Sequence, residues 1–389
     1  MPNKILVVDD EPDLELLILH KFRRRIGQGE LEFRFAPNGE DALKVLAAEP
    51  AIELIVTDIN MPVMDGLTLL GRVGALSRLT RTVIVSAYDD LENIRMAMNR
   101  GAYDFLTKPI DFADLEMTID KTLRELSELR QGLVARAQLL TLEYELDLAT
   151  KIQRSILPEI ISDHADFELG ATMLPARQVS GDFYDFFLID ANRLGLAIGD
   201  VSGKGIPAAL FMAVSRTLLR ATALHGASPR ECLEHVNRVL LKQSDGEVFL
   251  TLLYGILDLE TGEFVFSVGG QPPPFLYSPD KPGRFLREPT GMMLGILGEA
   301  AYGTARVHME PGDTLVFYTD GVTEAECRKG TFFSEERLRE VVECGKDKPA
   351  GELTTRIVEA LRVFTEGNEQ TDDVTILSVR YKPEHFKRA

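Results

Sequence analysis

Asp9 and Asp10 follow the apolar run Ile5–Val8, and Asp58 follows another in Val56-Thr57-Asp58-Ile59-Asn60-Met61-Pro62. Ser86 closes the run Val83–Val85, and Lys108-Pro109 comes just after Tyr103–Leu106. If these runs are parallel strands of one sheet, their carboxyl ends share an edge, and three carboxylates, a hydroxyl and an ammonium converge there. Carboxylates held together resist joint ionisation unless a cation is near. Mg²⁺, a hard ion with oxygen ligands, suits such a trio. Lys108 adds a positive group that could pair with an incoming phosphoryl oxygen. A single Asp after a strand is usually a loop residue or a helix cap. Matching residues at four strand ends make a constellation.

A second set of acids stands on turns in the C-terminal half. These are Ser180-Gly181-Asp182-Phe183-Tyr184-Asp185, Ile198-Gly199-Asp200-Val201-Ser202-Gly203-Lys204-Gly205, Tyr318-Thr319-Asp320-Gly321-Val322-Thr323-Glu324 and Thr371-Asp372-Asp373-Val374-Thr375. Glycine flanks the first three, which lets backbone approach closely. No His or Cys cluster accompanies them, so zinc is disfavoured and all-oxygen ligands point to Mg²⁺ or Mn²⁺. Four carboxylates exceed the need of one small cation with its waters, which suggests a two-metal centre. Each turn alone is ordinary Asp-Gly or Asp-Asp chemistry; four in one region are not.

The elements that must position these residues follow from periodicity. Up to about residue 110, five apolar runs (Leu31–Phe35 among them) alternate with helically spaced segments such as Leu14, Leu17, Ile18 and Phe22. This predicts an α/β, doubly wound, five-stranded parallel sheet. Leu115, Ile119, Thr122, Leu126, Leu129 and Leu133 then step by fours and threes, a heptad seam. The register slips, and Leu139, Leu142, Leu146, Ala149, Gln153 and Ile156 carry the stripe to Pro158. A helix this long without intramolecular cover predicts a coiled-coil homodimer, against the plainer expectation of a helix packed on its own domain. Beyond Pro158, strand-like stretches (Phe167–Leu174, Phe183–Ile189, Arg193–Ile198, Phe249–Leu259, Glu263–Val268, Leu315–Tyr318, Val374–Val379) mix with helical ones (Ile206–Leu224, Arg230–Leu241, Glu335–Cys344, Gly351–Thr365), giving an α+β region. The expected division is 1–122, a helical linker 123–157, a second domain 158–382 and a tail 383–389.

The chain of 389 residues carries 43 Lys plus Arg against 61 Asp plus Glu, a formal charge of −18. That balance argues against binding nucleic acid or an anionic membrane. The three cysteines, Cys232, Cys327 and Cys344, form no Cys-x-x-Cys, so no disulfide framework or cysteine zinc site is expected. The N-terminal apolar run is too short for a signal peptide and no stretch is long enough to span a membrane, so a cytoplasmic setting is expected.

Residues 1–122 resemble a response-regulator receiver domain, on Asp9-Asp10, Asp58-x-x-Met61-Pro62-x-x-Asp65-Gly66, Ser86-Ala87 and Lys108-Pro109 in that order. The resemblance implies a phosphoacceptor at Asp58. It implies Mg²⁺ bound by Asp9, Asp10, Asp58 and the Asn60 carbonyl, and phosphoryl contacts from Ser86 and Lys108. Phe105 matches the switch aromatic. The four later motifs resemble the metal-dependent PPM-type serine/threonine phosphatases, more closely their SpoIIE/RsbU-like bacterial branch. Leu148–Pro158 matches the helix leading into that branch. This implies an αββα sandwich and two Mn²⁺ or Mg²⁺ held by Asp182, Asp200, Asp320 and Asp372 with the Val201 carbonyl. Asp373 is the neighbour passed over, and Asp185 is placed as a supporting residue. Many relatives read Ala-Gly-His-Asn-Pro where this chain has Gly269-Gly270-Gln271-Pro272-Pro273, so Gln271 cannot supply that histidine.

Together the resemblances imply a response regulator whose phosphorylation, by a histidine kinase or phosphotransfer protein, controls a phosphoserine/phosphothreonine protein phosphatase. The implied substrate is a phosphorylated anti-anti-sigma-factor (STAS) protein. The alternative is an adaptor whose phosphatase-like domain binds a partner without turnover. A DNA-binding regulator is disfavoured by charge and by the lack of a basic recognition helix.

Overall fold

In the computed structural model, which describes residues 2–76, 79–87, 91–159, 164–244, 248–345 and 348–383, the chain divides into two units, Met1–Thr141 and Leu142–Ala389. The expected tail lies, after residue 383, outside the described residues. Among the described residues no helix is long and apolar enough to cross a membrane.

In the first unit β1 (Asn3–Val8), α1 (Pro12–Lys21), α2 (Arg23–Gly27), β2 (Leu31–Ala36), α3 (Gly39–Ala48), β3 (Ile52–Asp58), α4 (Gly66–Leu76), β4 (Arg81–Ala87), α5 (Leu91–Asn99) and β5 (Asp104–Lys108) follow in turn. The strands pair in the order β2-β1-β3-β4-β5, all parallel. Both faces of the sheet are covered, so the central strands read as unbroken apolar runs. Ile5 and Val7 pack with Leu54, Val56 and Val83 on one face, and Leu6 and Val8 with Ile55, Leu69 and Val73 on the other. Because the strands run one way, the ends of β1, β3, β4 and β5 lie along one edge.

The long helix α6 spans Phe112–Ile156. Its seam is not uniform. Leu115, Ile119 and Leu123 belong to the core of the first unit, and Thr122 and Leu126 are buried. Over these turns the plainer expectation holds: the apolar stripe covers its own domain. Leu129, Leu133, Leu139 and Leu142 are exposed. Near the end the stripe turns inward again. Gln153 is buried, and Leu157, just past the helix, packs on both cores of the second unit.

The second unit contains β6 (Phe167–Leu174), β7 (Phe183–Leu188), β8 (Arg193–Val201), α7 (Ile206–Leu224), α8 (Pro229–Ser244), β9 (Leu250–Asp258), β10 (Glu263–Gly269), β11 (Phe275–Ser278), β12 (Lys281–Phe285), β13 (Ala305–His308), β14 (Thr314–Tyr318), α9 (Asp320–Thr323), α10 (Ser334–Cys344), α11 (Ala350–Thr365) and β15 (Val374–Tyr381). Two antiparallel sheets result, β13-β10-β9-β8-β7 and β12-β11-β14-β15-β6. Alternation along the strands sorts side chains between layers. Leu194, Leu196 and Ile198 of β8 enter the inter-sheet core with Phe264, Phe317 and Leu377, while Ala197 faces outward onto Met212 and Leu219 of α7. On the other sheet Val316 and Ile376 meet Leu338 of α10 and Leu353 and Ile357 of α11. The order is helix, sheet, sheet, helix, the expected αββα sandwich.

Asp185 of β7 is fully buried and accepts from Arg216 Nη2 and Arg220 Nη1, each at 3.0 Å. Burial raises its carboxyl above the ordinary range, and the two guanidinium groups oppose that. It therefore pins α7 to its sheet. Removing one partner of a buried pair leaves an uncompensated charge. Asp185→Ala should lose about 3–5 kcal/mol of stability by chemical denaturation, and an unchanged midpoint would remove Asp185 from this role.

Candidate functional site

On the strand edge of the first unit, Asp9, Asp10 and Asp58 bring carboxylate oxygens within 4.8 Å of one another. Lys108 Nζ stands 2.7 Å from Asp58 Oδ2, 3.2 Å from Asp9 Oδ2 and 3.1 Å from Glu11 Oε1. Burial alone would lower the Lys108 pKa, but Asp58, Glu11 and Asp9 outweigh it and hold the ammonium above its usual value. Asp9 is raised, chiefly by burial. Its Oδ1 accepts from Glu11 N at 2.8 Å, while its buried Oδ2 has the ammonium nearby but no hydrogen bond. Ser86 Oγ is buried without a partner, a donor held ready at the same edge. Asn60 is exposed in the loop after Asp58, and Phe105 is partly exposed on β5. The glycine of the Asp65-Gly66 pair has a steric reason. A Cβ on Gly66 would fall 2.1 Å from the Asp58 carbonyl oxygen, so only glycine lets that loop cross behind the acid.

In the second unit the expected acids stand at the ends of four strands, β7, β8, β14 and β15. Asp182 precedes β7 and is almost fully buried; its Oδ2 accepts from Thr319 Oγ1 at 2.8 Å. Its carboxyl is raised well above the usual range, by burial first and by Asp200 next. Asp200, in β8, is pushed up to about 6 by burial and then by Asp320. Asp320 opens α9 and is raised by burial and Asp372. Asp372 is exposed on the loop before β15. Asp182, Asp200 and Asp320 are thus raised by burial and by neighbouring carboxylates, Asp372 among them, so like charges in one field disfavour joint ionisation of these three. Val201 ends β8, and its carbonyl oxygen lies 2.7 Å from where a Cβ on Gly181 would stand. Gly321 is constrained likewise: its Cβ would meet the Asp373 carbonyl oxygen at 2.0 Å.

Asp373 does different work from its neighbour. It is buried and accepts from Ala176 N (2.7 Å), Ser180 Oγ (2.8 Å) and Gly181 N (2.8 Å). Ser180 Oγ in turn accepts from Asp182 N at 3.0 Å. Gln153 of α6 exchanges two hydrogen bonds with the Ser180 backbone, at 2.7 and 3.0 Å. This corrects its place in the helical stripe: its amide side chain is buried because it satisfies a peptide group, not because it faces a second helix. Gln271 is also buried, accepting from Thr251 Oγ1 at 2.5 Å and donating to the Tyr318 carbonyl at 3.1 Å, so it braces strands. Sequence reasoning missed Thr319, which holds Asp182 and accepts from Thr375 N at 3.0 Å. It also missed Glu324, raised by burial and then by Asp320 and Asp372.

The family model for stage II sporulation protein E (SpoIIE) matches residues 190–382, and the model for the response regulator receiver domain matches 5–120. Phosphoserine phosphatase RsbU of Bacillus subtilis is 31% identical over 238 residues, which is 61% of this chain and 70% of that protein. The chain belongs to the SpoIIE family of protein phosphatases, with a response-regulator receiver domain preceding the phosphatase. That receiver is 31% identical over 123 residues to sporulation initiation phosphotransferase F of B. subtilis, covering 32% of this chain and 95% of that one. A solved structure of the RsbU and RsbW domains of Rv1364c from Mycobacterium tuberculosis superposes on the SpoIIE-type part with a TM-score of 0.51 at 29% identity, covering 58% of this chain and 62% of that one.

The contrast between the adjacent acids is testable. Losing the Asp373 carboxylate strands three donors, one of them a hydroxyl, so Asp373→Ala should cost about 3 kcal/mol or more. Asp372→Ala, on an exposed side chain, should stay within about 0.5 kcal/mol when divalent cations are chelated. Urea titrations of both variants check this, and equal losses would break the distinction.

Proposed function

We propose that Asp58 accepts a phosphoryl group from a histidine kinase or phosphotransfer protein, and that this controls a metal-dependent phosphoserine/phosphothreonine phosphatase in the same chain. The proposed substrate is a phosphorylated STAS protein of the anti-anti-sigma-factor kind, as in partner-switching signalling. The observation that carries the catalytic half is the crowding of Asp182, Asp200, Asp320 and Asp372, with the first three raised by burial and by one another. Such a set is stable as carboxylates only beside positive charge, and two Mn²⁺ or Mg²⁺ fit its oxygen-only chemistry. Asp182, Asp200, Asp320, Asp372 and the Val201 carbonyl would hold them. Bound there, the cations would supply Lewis acidity toward the phosphoryl group and a nucleophilic water. The chain's own part is to hold the acids in register: Thr319 orients Asp182, and Asp373 with Ser180 fixes the backbone from which Asp182 departs.

In the receiver half, Asp9, Asp10, Asp58 and the Asn60 carbonyl would hold one Mg²⁺. Lys108 and the unpartnered Ser86 hydroxyl are within the same edge to receive the phosphoryl oxygens. The reading divides the chain into a receiver (1–122), a helical connector (123–157) and the phosphatase (158–382), with α6 as the mechanical link. It also makes the chain a homodimer through the exposed Leu129, Leu133, Leu139 and Leu142.

Two experiments test this. Acetyl phosphate should label the wild type and not Asp58→Asn, and Asp200→Asn should lose Mn²⁺-dependent phosphate release from a phosphorylated STAS protein while its metal-free melting temperature stays equal or rises. Label on Asp58→Asn would displace the acceptor; metal binding by the wild type without turnover would favour the adaptor. For the dimer, burying each such Leu contributes about 1.5–3 kcal/mol. Leu129→Glu with Leu133→Glu should therefore lower the mass seen by light scattering, and a monomeric wild type would refute the coiled coil.

A further inference from the structure

The second acidic cluster contains a cation of its own. Lys204, on the loop between β8 and α7, places Nζ 3.1 Å from Asp372 Oδ1 and donates to the carbonyl of Thr371. Its charge reaches Asp320 as well, drawing that carboxyl down against burial and Asp372. The residues on either side, Gly203 and Gly205, have φ of 94° and 80°. Open space surrounds the position of a Cβ on each. The Lys204 and Asp372 side chains are 37% and 51% exposed, so the ion pair can open without unpacking the core. Asp182, by contrast, is locked by Thr319 in the interior. Among the described residues, the trio of the first unit is the group whose ligand oxygens lie within 4.8 Å of one another. In the second cluster Asp372 meets an ammonium instead.

We propose that Lys204 is the resident cation of the outer metal position: its ammonium occupies Asp372, and a divalent cation must displace it to complete that position. The inference rests on the metal reading of the cluster given above. It follows from charge alone that one acid cannot fully serve both partners. An ammonium at 3.1 Å already offsets the Asp372 charge, so a divalent cation gains from that ligand only what remains after the ion pair is broken. Among the described residues no ammonium or guanidinium pairs with Asp182 or Asp200, while Lys204 pairs with Asp372, and the position the first two dominate should fill first. Filling then proceeds in two steps of unequal strength, set by one side chain on a glycine-flanked loop.

Mn²⁺ titrations by calorimetry on the full chain test this, with Asp9→Asn and Asp10→Asn present throughout to disable the receiver trio. Lys204→Met should tighten the weaker of the two Mn²⁺ binding events about two- to fivefold, the range that a partly exposed ion pair commands. It should also raise the melting temperature more at a subsaturating Mn²⁺ concentration. Lys204→Arg, which keeps the charge, should stay near the parent. Adding Asp372→Asn to Lys204→Met should abolish the gain. Melts in chelator establish that each variant is folded. Equal or weaker Mn²⁺ binding by Lys204→Met, or a gain that survives Asp372→Asn, overturns the proposal. If the parent binds no Mn²⁺, or Asp200→Asn binds it as the parent does, the metal reading itself fails and this inference with it.

Discussion

Carboxylates repel one another, and each half of this chain is built to hold several of them together regardless. The receiver answers with a built-in ammonium: Lys108 lies within 3.2 Å of Asp58, Asp9 and Glu11. The phosphatase answers with hydrogen-bond donors placed behind its acids, Thr319 for Asp182 and three donors for Asp373. Both need backbone to pass almost through the space of a side chain. Gly66 against the Asp58 carbonyl and Gly321 against the Asp373 carbonyl are the same device in unrelated folds. A methyl group at either position would push the loop off the acid it supports. The parallel sheet, the sandwich and the turns at their ends are what make these close approaches repeatable.

The acids were legible in the sequence because strand ends on one sheet edge impose a pattern. The spacing from Asp9 to Lys108 follows the order of strands, and the sheet delivers it. The α+β character of the second unit was legible because its longer strands and helices show their periods; the αββα layering was implied by the family resemblance. What lay outside the pattern involved groups whose partners are remote. Nothing local separates Asp372 from Asp373; one is exposed and the other accepts from residues 176–181. Lys204 reads as part of a Gly-Lys-Gly turn, and only the fold brings Asp372 to it. The short β11, β12 and β13 and the five-residue α2 were missed because a few residues carry no measurable period.

The helix α6 shows where a correct pattern supports two structures. Its spacing of fours and threes is the same whether the stripe meets a second helix or its own domain. At both ends the chain covers the stripe itself: Leu115 to Leu126 in the receiver core, and Gln153 against Ser180. The apolar residues between, from Leu129 to Leu142, are left to solvent. A glutamine in an otherwise apolar stripe was the sequence's one sign that the end of the helix has a polar appointment.

The pairing of β6 with β15 has a consequence in time. β6 opens the phosphatase and β15 is its last strand, and the Ser180–Asp373 hydrogen bond joins residues 193 positions apart. During synthesis, at roughly 5–20 residues per second, the loop that carries Ser180 and Asp182 emerges many seconds before the strand that braces it. A nascent chain therefore cannot assemble its acidic centre piecemeal. The second sheet, and the cluster with it, must close in one late, non-local event, with the entropy of a long loop spent at once. The receiver, whose contacts are nearer in sequence, can fold while that closure is still awaited.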